Sequence, residues 1–64
     1  MYIGNTLHAI RKSKKISLTE LSQKSGVQMA TLSRIENMKM VGTLESHINI
    51  AKALEIDVTQ LYEN

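Results

Sequence analysis

Apolar side chains in this 64-residue chain recur at helical spacing and rarely alternate with polar ones, so the pattern favours helices over strands throughout. Ile3, Leu7 and Ile10 line one side of a first helix expected over about residues 3–14. Leu21 with small Ser22 marks the inner face of a second, 18–25, and Leu32 with Ile35 anchors a third, 29–37. Leu44, Ile50, Ala51 and Leu54 line a fourth, 44–54, while Val58 and Leu61 complete a fifth, 58–63. None of these short helices is stable alone in water, so their stripes must bury against one another.

Polar residues at the segment ends agree with those boundaries. Ser17 stands as an N-cap with Glu20 three residues on as its capping-box partner, and Ile16 and Leu21 flank them as a hydrophobic staple. Asp57, Gln60, Ile56 and Leu61 repeat the arrangement. Val27 and Leu32 keep the staple spacing around a poorer cap, Gln28, and Thr43-Leu44-Glu45 opens the fourth helix after Gly42. Gly26 is suited to the left-handed conformation that ends a helix, and Arg11, Lys12, Lys14 and Lys15 crowd the end of the first, where cations favour the dipole.

Composition narrows the chemistry. Tyr2 and Tyr62 are the only aromatics, so the core of this single domain, residues 1–64, must be aliphatic. The lack of Cys excludes disulfides, thiolate catalysis and any Cys-containing zinc site. Apolar runs fall far short of the roughly 20 residues of a membrane span, and no signal-peptide pattern opens the chain, so no membrane partner and a cytoplasmic location are expected. His8 and His47 are isolated, with no carboxylate or second His at metal or catalytic spacing; no metal, no cofactor and no enzymatic activity are expected. His8 reads as an exposed helix residue.

Net charge is only +2, yet its distribution is uneven. Residues 1–39 hold Arg11, Lys12, Lys14, Lys15, Lys24, Arg34 and Lys39 against Glu20 and Glu36, whereas residues 40–64 hold Lys52 against Glu45, Glu55, Asp57 and Glu63. That asymmetry suggests one end facing a polyanion and a more acidic end turned away.

The second helix, the turn at Gly26 and the third helix resemble a helix-turn-helix motif. Counted from Leu18, apolar Leu21, small Ser22, Gly26, Val27, Leu32 and Ile35 fall on the fourth, fifth, ninth, tenth, fifteenth and eighteenth places of its pattern, each in order. With Thr19-Glu20-Leu21, Ser33-Arg34-Ile35-Glu36-Asn37 and Ile50-Ala51-Lys52-Ala53-Leu54, the stretch from Ile3 to Leu61 resembles the phage repressor and Cro (lambda-repressor-like) family. The resemblance implies an all-α, compact five-helix domain whose third helix enters the DNA major groove. It also implies a partly buried ion pair between Arg11 and Glu36. The chain departs from the family in four places: Leu18 for a common Gln, Met38 for a common Gly, Val41-Gly42 for Asn-Pro, and His47 at a usually apolar core position. With Met38 in that place, Asn37 is expected to take the left-handed conformation that ends the third helix.

At 100° per residue, Leu32 and Ile35 set the buried side of the third helix, leaving Ala30, Ser33, Arg34 and Asn37 opposite, with Met29 at the edge. In a major groove Arg34 can donate twice to guanine, Ser33 can bond several bases, and Ala30 or Met29 can touch a thymine methyl. Gln28, at the helix start, suits a phosphate or first-base contact. Ser17 and Thr19 at the second helix, and Lys39 and Thr43 before the fourth, are the expected phosphate contacts, regions that the family also uses. Lys14 and Lys15 are weaker candidates. Ile48, Val58, Leu61 and Tyr62 carry apolar surface at the acidic end and are expected to form a small two-fold interface, with Val58 and Leu61 shared with the core.

The expected function is a sequence-specific regulator, a repressor or controller, binding a palindromic operator in double-stranded DNA as a homodimer that forms either free or only on the DNA. Alternatives are an antitoxin-type module holding a toxin or other protein partner, and a helical protein-protein interaction domain without DNA affinity.

Overall fold

Helix ends fall where the capping residues stand. In the computed structural model, which describes residues 2–63, the order is α1 (Gly4–Ser13), α2 (Leu18–Ser25), α3 (Met29–Glu36), α4 (Leu44–Leu54) and a terminal 3-10 helix (Val58–Tyr62). Ser17 Oγ accepts the Glu20 amide at 3.0 Å and Thr43 Oγ1 accepts the Ser46 amide at 3.1 Å, so both side chains cap the helices they precede. Asp57 and Gln60 form the full reciprocal box. Glu20 does not complete the one at Ser17: its carboxylate pairs with Lys24, one turn on, at 3.0 Å.

The fifth helix expected from the sequence is 3-10 rather than α, and among the described residues the α-helices number four. Val58–Tyr62 is five residues long, enough for the Gln60 amide to reach the Asp57 carbonyl at 2.9 Å but too short to propagate an α ladder.

Three helices end in one way. The amides of Ile16, Lys39 and Ile56 reach back five residues to the carbonyls of Arg11, Arg34 and Ala51 at 3.1, 2.8 and 3.0 Å. That loop places its left-handed residue just beyond the helix, at Lys15, Met38 and Glu55. Asn37 therefore keeps φ −89°, and Met38 takes φ +61°, which corrects the expectation for Asn37.

Ile3, Leu7, Leu21, Val27, Leu32, Ile35, Ile50, Ala51, Leu54 and Leu61 form the core, with Ile10 and Val58 packed at its margin. α2 lies between α3 and α4; α1 rests on α3 and the 3-10 helix, which also packs on α4. Leu44 does not join the core: it is 63% exposed. A helical side chain covers the turn before its own Cα, and Leu44 opens α4 with no such turn beneath it. The buried stripe of α4 begins at His47 instead. Gly4 sets the approach of α1 to α3, since a Cβ there would collide with the Ile35 carbonyl oxygen.

Candidate nucleic-acid interface

Short-range hydrogen bonds fix the angle between α2 and α3. Gly26 takes φ +75°, with its amide on the Ser22 carbonyl at 2.9 Å. Ser22 Oγ donates to the Val27 carbonyl at 2.7 Å, and the Val27 amide donates to Ser25 Oγ at 3.1 Å. Val27 is buried beside this turn, so both its polar groups and its side chain anchor the start of α3.

Because Leu32 and Ile35 are completely buried, the opposite side of α3 must face out. Met29, Ala30, Arg34 and Asn37 are exposed there, Ser33 is half-buried, and Gln28 is exposed at the N-cap just before the helix. Arg34 makes no ion pair among the described residues, so its guanidinium is available to an outside acceptor. Asn37 Nδ2 donates to Ser33 Oγ at 3.3 Å, which joins these two as one polar unit. Thr19 Oγ1 points at Met29 Sδ across 3.8 Å and brings the α2 start against the α3 start.

Ser17, Thr19, Lys39 and Thr43 are all exposed. As an N-cap acceptor Ser17 keeps its hydroxyl hydrogen for an outside acceptor. Thr43 differs, because its hydroxyl donates to Ser46 Oγ at 3.0 Å while accepting the Ser46 amide. Its hydroxyl is thus committed at the helix start, which leaves exposed Lys39 as the cationic side chain nearest that end.

Beside the outward face of α3, an open groove of about 360 Å³ is lined by Asn5, His8, Leu18, Ser33, Glu36 and Asn37. Glu36, one of its lining residues, is ion-paired to Arg11. Arg11 Nε donates to Glu36 Oε2 at 2.7 Å, Nη2 to Oε1 at 3.0 Å, and Nη1 to the Ile16 carbonyl at 2.8 Å. Both side chains are nearly buried, so the pair locks α1 to the end of α3. Burial pushes the Glu36 carboxyl up, but hydrogen bonds from Arg11 and His8 and the Arg11 charge outweigh it and hold the carboxyl below its ordinary range. The Glu36 hydrogen bond correspondingly raises Arg11.

Sequence reasoning missed the part played by the two histidines. His8 is exposed, as expected, yet its Nδ1 lies 3.0 Å from Glu36 Oε1, one helical turn from Arg11. His47 is buried, with Nδ1 2.8 Å from the Tyr62 hydroxyl and Nε2 2.7 Å from the Val41 carbonyl. The spacing of His8 to Arg11 on one helix could have signalled the first; the second depends on elements distant in the chain.

The residues expected at a two-fold interface separate in the structure. Ile48 is 37% exposed, while Val58 and Tyr62 are half-buried. Leu61 is only 1% exposed and belongs to the core of the protomer, so it offers no surface to a second copy. Tyr62 has an internal use, through its hydroxyl on His47. Leu44, one turn before Ile48, supplies apolar surface where Leu61 does not.

A family model described as helix-turn-helix matches residues 7–61, a span that holds the α2–turn–α3 unit and its packing partners. The chain belongs to the helix-turn-helix family. Among helix-turn-helix proteins it is 35% identical, over 57 residues, to an uncharacterized HTH-type transcriptional regulator, y4dL, of Sinorhizobium fredii. That match covers 89% of this chain and 29% of the relative, so the chain spans less than a third of that protein's length. Its fold superimposes with a TM-score of 0.89 on the restriction-modification controller protein C.AhdI from Aeromonas hydrophila, at 25% identity, covering 92% of this chain and 89% of that one. Among the described residues, no helix is long and apolar enough to cross a membrane.

Proposed function

We propose that this helix-turn-helix protein is a sequence-specific regulator that places α3 in the major groove of double-stranded DNA. The observation that carries this reading is the outward face of α3, where Arg34, with no ion pair among the described residues, stands among Met29, Ala30 and Asn37 while Leu32 and Ile35 opposite are buried. Arg34 reads a guanine through O6 and N7, the Ser33–Asn37 pair bonds neighbouring base edges, and Met29 and Ala30 meet thymine methyls. Gln28 lies at the helix start, against the first base or its phosphate. Ser17, Thr19, Lys39 and the amides after Thr43 hold the backbone on either side.

One such module spans too few base pairs for selectivity, so the protein acts as a symmetric dimer on a palindromic operator. Ile48, Val58 and Tyr62, joined by Leu44, form the two-fold contact at the less basic end. The likeness to a restriction-modification controller supports a role as repressor or controller of a promoter.

Selection of random duplexes on the purified protein tests the reading as a whole, with a two-fold symmetric site as the expected product. On that site Arg34→Ala lowers affinity by about 1 to 3 kcal/mol and relaxes one position, whereas Lys39→Ala weakens all duplexes alike. Failure to enrich any sequence, together with affinity that ignores salt, would refute it.

A further inference from the structure

Between α3 and α4 the backbone runs through residues 37–43, past Lys39 and up to the first amides of α4. The Lys39 amide is held by the Arg34 carbonyl, and Thr43 by its capping bonds to Ser46. Residues 40–42 between them have a single hydrogen bond among the described residues, the one from His47 Nε2 to the Val41 carbonyl at 2.7 Å. That ring is 4% exposed and is itself fixed from behind, with Nδ1 2.8 Å from the Tyr62 hydroxyl on the 3-10 helix.

The hydrogen positions follow from the partners. A backbone carbonyl only accepts, so Nε2 carries the hydrogen and donates it to Val41. In the neutral ring Nδ1 is then the acceptor, and the Tyr62 hydroxyl donates to it. The Val41 carbonyl thus sets the tautomer, and Tyr62 satisfies Nδ1 and holds the ring in the orientation that reaches the loop. An apolar residue at position 47 would fill the same space and leave the Val41 carbonyl without this donor.

We propose that His47 is a positioning residue for DNA binding: it tethers the α3–α4 loop in the shape that presents Lys39 and the α4 N-terminus to the phosphate backbone, and Tyr62 holds its ring in place. This rests on the DNA-binding reading above. The tether also joins the DNA-facing loop to the end of the molecule where the two-fold contact is placed. His47 touches no DNA itself.

Two amide substitutions separate the roles of the two ring nitrogens. In His47→Gln the side-chain amide nitrogen reaches about as far as Nε2 and can still donate to Val41; in His47→Asn it reaches about as far as Nδ1 and meets Tyr62 alone. His47→Leu removes both bonds and keeps an apolar core. Hydrogen exchange of the Lys39 amide, which is bonded to the Arg34 carbonyl at the start of the loop, duplex affinity and its salt slope are compared across the three variants, well below each one's thermal midpoint. The expected result is loop exchange about tenfold faster in His47→Leu and His47→Asn but near wild type in His47→Gln. Affinity falls about three- to tenfold in the first two, with the salt slope shallower by about one, and recovers in His47→Gln. Tyr62→Phe removes the partner of His47 Nδ1 and speeds exchange at the same amide, because the ring is no longer held from behind.

Loop exchange unchanged in His47→Leu overturns the tether, whatever the DNA measurements give. Faster exchange with unaltered affinity and slope overturns the positioning role and leaves the DNA-binding reading standing. A merely structural role predicts losses that follow thermal stability across the variants rather than the presence of the Val41 donor, and that pattern also overturns the proposal. Lack of wild-type affinity for any duplex overturns the DNA-binding reading, and with it the positioning role, even where the exchange data show the tether.

Discussion

Glu36 shows how one side chain serves both fold and interface. Its carboxylate is 7% exposed and receives both Arg11 donors and His8. With a folded pKa below the ordinary value of about 4.3, it adds stability that is fully present above about pH 5 and is lost as pH falls through the lower folded value. Glu36→Gln should therefore lower stability by about 2 to 3 kcal/mol at pH 7, and the difference from wild type should shrink toward pH 3. Urea midpoints at the two pH values measure this; an equal loss at both would assign the effect to packing. Glu55 makes the opposite case. It is exposed, left-handed at φ +59°, and negative at the end of α4 where the helix dipole is also negative. Glu55→Gly should raise stability by about 1 kcal/mol and the thermal midpoint by roughly 4 to 8 °C, read by calorimetry.

Among the elements, α1 and α3 begin without a side-chain cap, and only α3 has a polar residue at that place. Gln28 takes the N-cap backbone geometry but makes no side-chain cap bond, unlike Ser17, Thr43 and Asp57. If Gln28 meets DNA as proposed, its side chain cannot also be folded back onto the helix amides, and the missing cap follows. Gln28→Asp should stabilise the free protein by about 0.5 to 1 kcal/mol while weakening duplex binding, because its charge suits the helix amides and repels phosphate. Thermal melts and binding titrations on the same preparation check both signs. A stabilised variant with undiminished affinity would remove Gln28 from the interface.

At the scale of the whole molecule, dimensions of only 25 × 21 × 20 Å would allow one groove contact per protomer, so the proposed selectivity calls for a second copy. If each protomer neutralises about three or four phosphates, the logarithm of affinity should fall against the logarithm of salt with a slope of about −5 to −7 for the dimer. Leu44 and Ile48 stand one turn apart on α4, 63% and 37% exposed, and are the apolar surface most open to that second copy. Ile48→Glu should leave the protomer folded, because the side chain is already partly in water, and should reduce occupancy of a palindromic duplex from two protomers to one. Sedimentation with that duplex decides; two variant protomers bound as tightly as wild type would place the two-fold contact elsewhere.

Local chemistry made much of this legible in the sequence. Ser17, Asp57 and Gly26 mark helix boundaries because capping and left-handed turns depend on residues within a few positions, and the bounds of α2 and α4 agree with the expected 18–25 and 44–54. The outward face of α3 followed from Leu32 and Ile35 by helical geometry alone, and the expected base-reading residues lie exposed or half-buried on it. What needed the tertiary structure were features in which distant segments meet. Leu44 shares the apolar spacing of the α4 stripe but stands beyond the packed layer, while Leu61, which the sequence left shared between core and surface, is enclosed by its neighbours. Asn37 and Met38 exchanged expected roles because the bond from Lys39 back to Arg34 fixes which residue turns left-handed. His47 became the tether of a loop only when Val41 and Tyr62, six residues before it and fifteen after, closed on its two nitrogens. Periodicity reports which side of a helix is buried, but the partner of a buried polar atom is chosen by the packing of whole elements.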